Sequence, residues 1–264
     1  MLTTLANYQL ITRNLDRSIE TIAKRPDVQR EVDYYLKHIK SIKSIDDFMK
    51  DQRIYRFALE ASGLGDMIYA KAFIRKLLEE GIENPDSLAN KLADPRFREF
   101  VRRYNFASYG GTATTFTRAQ QGAVDDYLRL KLEAEAGQQD EGVRLALYFR
   151  RKAPKIKNGY AILADRALMK VAEVVMGRSL AQGDVDRNAK EIERRLPIKD
   201  FQDPDKLEKF LTRFAALWEI RGGGVAGLSG ASPAAAGIVM PGPIETGVSL
   251  GVLQALQKIK LGGF

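Results

Sequence analysis

The 264-residue chain contains no cysteine and one histidine, His38. The first absence excludes disulfides, thiolate zinc sites, iron–sulfur clusters and cysteine nucleophiles. It suits the cytoplasm, and it equally suits a chain that passes unfolded through a dedicated export apparatus. One histidine cannot build a multi-histidine metal site, and as a general base it would need an orienting partner that no motif supplies. Its place behind Tyr34, Tyr35 and Leu36 on a predicted helix makes it a structural or surface residue. No run approaches the roughly 18 apolar residues that span a bilayer. The start, MLTTLANYQLITRNLDRSIE, lacks the basic region and apolar block of a cleaved secretion signal. Sustained alternation of apolar and polar residues is also missing, so the strand signal is weak throughout.

Catalytic and metal-binding patterns are as scarce. Asp184-Val-Asp186-Arg-Asn188 imitates the opening of a calcium loop, but Ala189 stands where the loop needs glycine and Arg195 where it needs a bidentate glutamate. A helix start is the better reading. The Gly222-Gly-Gly run lacks the lysine and the strand–helix frame of a phosphate loop. Ser229, in Gly-Leu-Ser-Gly, misses the nucleophile elbow. The sequence therefore predicts no enzyme, no cofactor and no metal.

What the chain does contain is helical spacing and helix caps. Apolar residues make up 45 % and charged residues 29 %, enough apolar material for a real core. Leu5, Tyr8, Ile11, Leu15, Ile19 and Ile22 recur three or four apart on one predicted helix face, and Pro26 restarts the pattern. Ser44 with Asp47 predicts a helix start near Ile45, and Gly63 a stop. Asn84-Pro85, Asp94-Pro95 and Asp203-Pro204 read as three further starts. In each an Asn or Asp side chain can accept from an orphan N–H, and proline at the first helical position loses no hydrogen bond. After a predicted linker, Val124, Tyr127, Leu128 and Leu132 mark a long helix ending at Gly137. Val143 to Tyr148 belong to another helix that stops before Pro154, and Ile162–Met176 to a third that closes at Gly177.

Self-similarity is the strongest internal signal. Residues 70–92 and 189–211 align without a gap and share Ala70/Ala189, Arg75/Arg194, Leu77/Leu196, Pro85/Pro204, Leu88/Leu207 and Leu92/Leu211. Upstream, Asp51, Arg56, Ala58 and Gly63 fall against Asp165, Lys170, Ala172 and Gly177. The expected architecture is an all-α bundle built from two similar helical repeats. Its parts are N-terminal helices with the first repeat (1–107), a linker (108–118), a second helical unit with the second repeat (119–220), a flexible Gly/Ala/Pro-rich segment (221–247) and a short amphipathic tail helix (248–264).

In that tail, Leu250, Leu253, Leu256 and Ile259 are the candidate partner-binding residues, because an apolar helix face on a tether is suited to docking. The net charge of +8 raises an alternative, a basic nucleic-acid-binding regulator. Its basic residues are dispersed, at Arg75/Lys76, Arg102/Arg103, Arg150/Arg151/Lys152 and Arg194/Arg195, mostly with acidic neighbours within a turn. Tyr104, Phe106, Tyr109 and Phe116 lie near one of these clusters, but their helical spacing reads as core packing.

Several stretches together carry a family resemblance. They are Tyr34-Tyr35 with Ser44-Ile-Asp-Asp-Phe48; Leu64-Gly-Asp66-Met67 with Ala70-Lys71-Ala72-Phe73 and Pro85 to Leu92; Gly142 through Tyr148-Phe149 to Pro154; and Ile162-Leu-Ala-Asp165 with Asp203-Pro204 to Phe214. The chain resembles the alphaproteobacterial domain-of-unknown-function family called DUF twelve-seventeen, which is placed in or near flagellar gene clusters. The resemblance covers roughly residues 5–220. It implies an all-helical, non-enzymatic structural or interaction protein whose partner is a flagellar component. Such a protein would be cytoplasmic or exported to the flagellum without a cleaved signal. The family brings no catalytic residues to carry over.

Overall fold

The computed structural model describes residues 2–180 and 183–222. These residues are all-α, connected by short 3-10 turns, and no strand occurs among them. The first three helices are α1 (Thr4–Arg13), α2 (Leu15–Ala23) and α3 (Pro26–His38). The apolar face expected to run unbroken from Leu5 to Ile22 is interrupted at Asn14, whose φ of −137° and ψ of 59° leave the helical region. The break has a packing reason. Tyr8 on α1 is fully buried in one core, whereas Ile22 on α2 is buried in another, and one straight helix cannot serve both.

Caps then punctuate the chain much as the sequence predicts. Pro26 occupies the first turn of α3. Ser44 Oγ accepts from Asp47 N at 3.0 Å to start α4 (Ile45–Lys50). Asp51 Oδ1 accepts from Arg53 N and Ile54 N, both at 3.0 Å, to start α5 (Gln52–Glu60). Next come α6 (Lys71–Glu80) and α7 (Leu88–Lys91). Asn84-Pro85 departs from expectation: Asn84 Oδ1 accepts from Asp86 N in a tight turn, and the short α7 begins only after Ser87. Asp94-Pro95 does open a helix, α8 (Pro95–Arg103).

The segment 108–118, expected to be a linker, is packed structure. It comprises the end of α9 (Phe106–Tyr109) and a run of 3-10 turns in which Ala113 and Thr114 are buried, with Thr114 Oγ1 donating to Ile42 O at 2.9 Å. Small polar residues there allow tight turns and close approach as well as they allow flexibility.

The second half opens with α10 (Gln121–Gln139), which runs past Gly137. It continues through α11 (Glu141–Lys152), α12 (Gly159–Leu163), α13 (Arg166–Met176), α14 (Val185–Arg195) and α15 (Pro204–Ile220). The single helix expected from Ile162 to Met176 is divided at Asp165, which caps α13 through Ala167 N and Leu168 N. Gly177 ends α13 in the left-handed region, at φ +78°.

Two apolar cores result. The first packs Tyr35, Phe48, Tyr55, Phe57, Phe100 and Tyr104 from α3, α4, α5 and α8. Two of its buried hydroxyls are satisfied in a chain, Tyr104 and Tyr35 sharing a hydrogen bond at 2.7 Å and Tyr35 donating to Ala119 O, while the buried Tyr55 hydroxyl has no hydrogen-bond partner among the described residues. The second core packs Phe149, Val171, Ile192, Phe201, Phe210 and Phe214 from α11, α13–α15 and the 3-10 turn before α15. Helix α10 joins them, with Val124, Tyr127, Leu128 and Leu132 in the first core and Ala136 in the second. Helix α1 ties the start of the chain to the second core, where Tyr8 donates to Glu208 Oε2 at 3.1 Å beside Arg150.

The two lobes use the same devices in the same order. Tyr34 on α3 donates to Asp51, the cap of α5, at 2.9 Å; Tyr148 on α11 donates to Asp165, the cap of α13, at 2.5 Å. The later register differs from the sequence alignment. Pro85 lies in a turn while Pro204 opens α15, and it is Asp94-Pro95 that opens a helix, α8, in the same way. The buried faces agree with that pairing: Phe97, Phe100, Val101 and Tyr104 at the end of one lobe, and Leu207, Phe210, Leu211 and Phe214 at the end of the other.

Candidate functional site

The tail residues Leu250, Leu253, Leu256 and Ile259, expected to bind a partner, lie outside the described residues. His38 is a helix-packing residue: its ring stacks on Tyr34 at 4.1 Å, and Nδ1 lies 2.8 Å from Tyr34 O. Asp184 caps α14 through Arg187 N, and Asp186 accepts from Tyr160 Oη. No group of side chains suited to holding a metal ion occurs among the described residues. Of the four aromatics near the linker, Tyr104 and Phe106 are buried in the first core, while Tyr109 and Phe116 pack edge to face with Arg118 stacked over Phe116.

The basic clusters singled out in the sequence are almost entirely paired. Arg75 meets Asp46 and Glu79, and Lys76 meets Glu80. Arg102 meets Glu99, Arg103 meets Asp126, and Arg194 and Arg195 share Glu191. The run Arg150-Arg151-Lys152 is resolved by helix geometry. Successive residues point roughly 100° apart around a helix, so the three cations face three environments. Arg150 turns to Glu208 and Tyr8. Arg151 makes a two-pronged bond to Glu133, at 2.6 and 2.9 Å. Lys152 has no hydrogen bond or ion pair among the described residues, and its Nζ lies 5.7 Å from the Tyr148 ring centre.

Lys152 borders a cleft of about 390 Å³ between the C-terminal end of α5 and the facing sides of α8, α10 and α11. Six basic side chains line it, Arg96, Arg103, Arg144, Arg151, Lys152 and Lys155, against three acidic ones, Glu99, Asp126 and Glu133. Arg96 is held by Asp94 Oδ1 and Oδ2 and donates to Gly63 O. Arg144 pairs with Glu141. Its aliphatic stem lies on Gly137, where a Cβ would approach Arg144 Cδ to 2.6 Å, so the glycine seats the arginine instead of ending the helix. The Tyr148 phenol is held well above its ordinary range by burial and by its bond to the Asp165 carboxylate. It is therefore a neutral donor. Burial, with Arg151 close by, pushes the Lys152 ammonium below its ordinary range.

The cleft thus combines locked ion pairs with one unpartnered cation. The sequence signals the basic run but not which member is left over, because that depends on acids far along the chain, Glu133 and Glu208. Ion pairs of this kind orient helices. They hold α10 to α11 through Glu133–Arg151 and α8 to α10 through Arg103–Asp126.

An all-helical, two-cored fold with a charged seam is the class that these features define. The family whose profile matches residues 61–207 is described as "Protein of unknown function (DUF1217)", and the chain belongs to it. The X-ray structure of protein AGR_C_984 from Agrobacterium tumefaciens is similar at 48 % sequence identity with a TM-score of 0.76. The match covers 81 % of this chain and 92 % of that one. No curated protein matches. No helix among the described residues is long and apolar enough to cross a membrane.

Proposed function

We propose that this chain is a non-enzymatic structural or interaction protein of the bacterial flagellum, exported with axial components or acting as an assembly factor. The flagellar part of this reading rests on the family resemblance. The observation that carries the interaction part is how the polar side chains are used. At the seam between the lobes, Arg96, Arg103, Arg144 and Arg151 each bind a carboxylate, and Tyr148 donates to Asp165. These groups fix helices and present no activated nucleophile beside a base, the arrangement that covalent catalysis uses. The same pairing weakens the nucleic-acid reading, because phosphate contacts need free Lys and Arg.

Partner binding in this reading runs through exposed helix faces and the tail anchors Leu250, Leu253, Leu256 and Ile259. Deleting the gene in its own host is expected to reduce the swimming ring in soft agar, and the full chain to restore it. A chain cut after Glu219 is expected to keep its helical circular dichroism and cooperative melting yet fail to restore swimming. Unchanged motility in the deletion strain would remove the flagellar reading. Restoration by the truncated chain would remove the tail from it.

A further inference from the structure

We infer that the cleft between α5, α8, α10 and α11 is a binding site for a small molecule carrying a phosphate group, with Lys152 as its principal ligand. The inference is independent of any flagellar role.

Three observations support it. First, Lys152 is the one cation of the Arg150-Arg151-Lys152 run with no anionic partner among the described residues, although it faces a recess and not open solvent. A partly buried ammonium without a counter-charge is costly, because its hydration is reduced and nothing replaces it. Its neighbours worsen the balance: Arg151 and Lys155 oppose its charge, and Asp165 and Glu99 offset this only in part. A site that keeps a cation in such surroundings is built for an anion that arrives from outside.

Second, the free charge on the lining has the right sign and chemistry. Arg96, Arg103, Arg144 and Arg151 are each matched by a carboxylate, which leaves Lys152 without one and Lys155 sharing Glu99 with Arg102. An anion with several charged oxygens can draw on both ammoniums. The guanidinium forks best shaped for a carboxylate are already taken, Arg151 by Glu133 and Arg96 by Asp94. The free ligand is an ammonium, which binds phosphate as a point charge. Lys155, whose Nζ is 3.6 Å from Glu99 and mostly exposed, can swing to the same anion.

Third, the recess has the dimensions of a ligand site. Its volume of about 390 Å³ exceeds what a bare phosphate fills and lies at the small end of the 300–1,000 Å³ range of ligand pockets. Tyr148, half-buried with a neutral phenol and its ring centre 5.7 Å from Lys152 Nζ, lines the cleft and supplies an apolar wall for the remainder of the ligand.

The test uses the full chain and inorganic phosphate or pyrophosphate as probes. Thermal melting is followed in each, against sodium chloride and sodium glutamate at matched ionic strength. The expected result is a rise in melting temperature with the phosphates alone, and titration calorimetry that gives a single site. Lys152→Met is expected to weaken phosphate binding about tenfold or more, while melting in plain buffer at or above the wild-type temperature because a desolvated charge has gone. Lys40→Met, at an exposed lysine elsewhere, is expected to behave as wild type. The inference is overturned if phosphate does no more than chloride, if glutamate does as much as phosphate, or if Lys152→Met binds phosphate normally. It is equally overturned if Lys152→Met melts well below wild type in plain buffer, since the lysine would then serve the fold.

Discussion

Replacing Gly159 with alanine is expected to destabilise the second lobe by about 3 kcal/mol, the upper part of the range for overpacking a close-fitted core. Gly159 opens α12 directly against α14. A Cβ there would fall 2.3 Å from Ala189 O and 2.9 Å from both Ala189 C and Cα. The obstruction is backbone, so no side-chain rotation relieves it, and α12 and α14 must separate. Their separation would disturb the bond from Gly159 N to Glu193 Oε1, 2.8 Å long, and the packing of Ile162 and Ile192 in the second core. Urea unfolding of Gly159→Ala should show a lowered midpoint with a similar slope. Gly65 provides the control, since its φ is not positive and a Cβ there meets only the flexible Glu60 side chain, at 3.4 Å.

The second large effect concerns the buried pair across the lobe seam. Glu133 has a side-chain exposure of 8 % and Arg151 of 19 %, and they are joined by two hydrogen bonds. Removing one partner strands the other in a poorly hydrated place, so Glu133→Ala or Arg151→Ala should each cost about 3–5 kcal/mol. Replacing both with apolar residues of similar size behaves differently, because the desolvation penalty of both ions disappears with their attraction. Glu133→Leu with Arg151→Met is therefore expected to recover most of the wild-type stability. A double-mutant cycle from denaturation midpoints gives the coupling. Additive losses would show that the pair is not a unit. The double variant should still melt cooperatively, because the seam would become an apolar continuation of the packing by Leu132 and Leu147.

Much of the fold is legible in the sequence because its punctuation is local. A cap needs only its own side chain and the next three amides. Ser44, Asp94 and Asp203 accordingly start helices where expected, and Gly177 stops one. Features set by distant residues are not legible. Asn14 breaks a continuous apolar stripe because two different cores claim its halves. Asn84-Pro85 has the chemistry of a helix start but becomes a turn, closed by Asn90 Nδ2 donating to Ile82 O and Asn84 O. Gly137 reads as a helix end and Gly159 carries no signal of its own, yet each clears space for a neighbour, Arg144 in one case and the backbone of α14 in the other.

The candidate site was the least legible part. Attention in the sequence goes to the tail, where apolar spacing is plain, and to basic runs whose pairing cannot be counted. Lys152 stands out only once Glu133 and Glu208 are known to occupy Arg151 and Arg150. The shared devices of the two lobes were partly visible through Asp51 and Asp165. Their tyrosine donors, Tyr34 and Tyr148, complete the match only in three dimensions.

The central functional claim is that this family member works as a binding component of the flagellum. The measurement that bears on it most directly is quantitative immunoblotting of three fractions from motile cells of the host: culture supernatant, purified filament–hook–basal bodies, and cytosol. The account predicts enrichment with the flagellar structures or among exported axial proteins. For an assembly factor it predicts a cytosolic pool that co-purifies with a flagellar subunit. A purely cytosolic protein that associates with no flagellar component, in cells whose flagella assemble normally without it, would contradict the account.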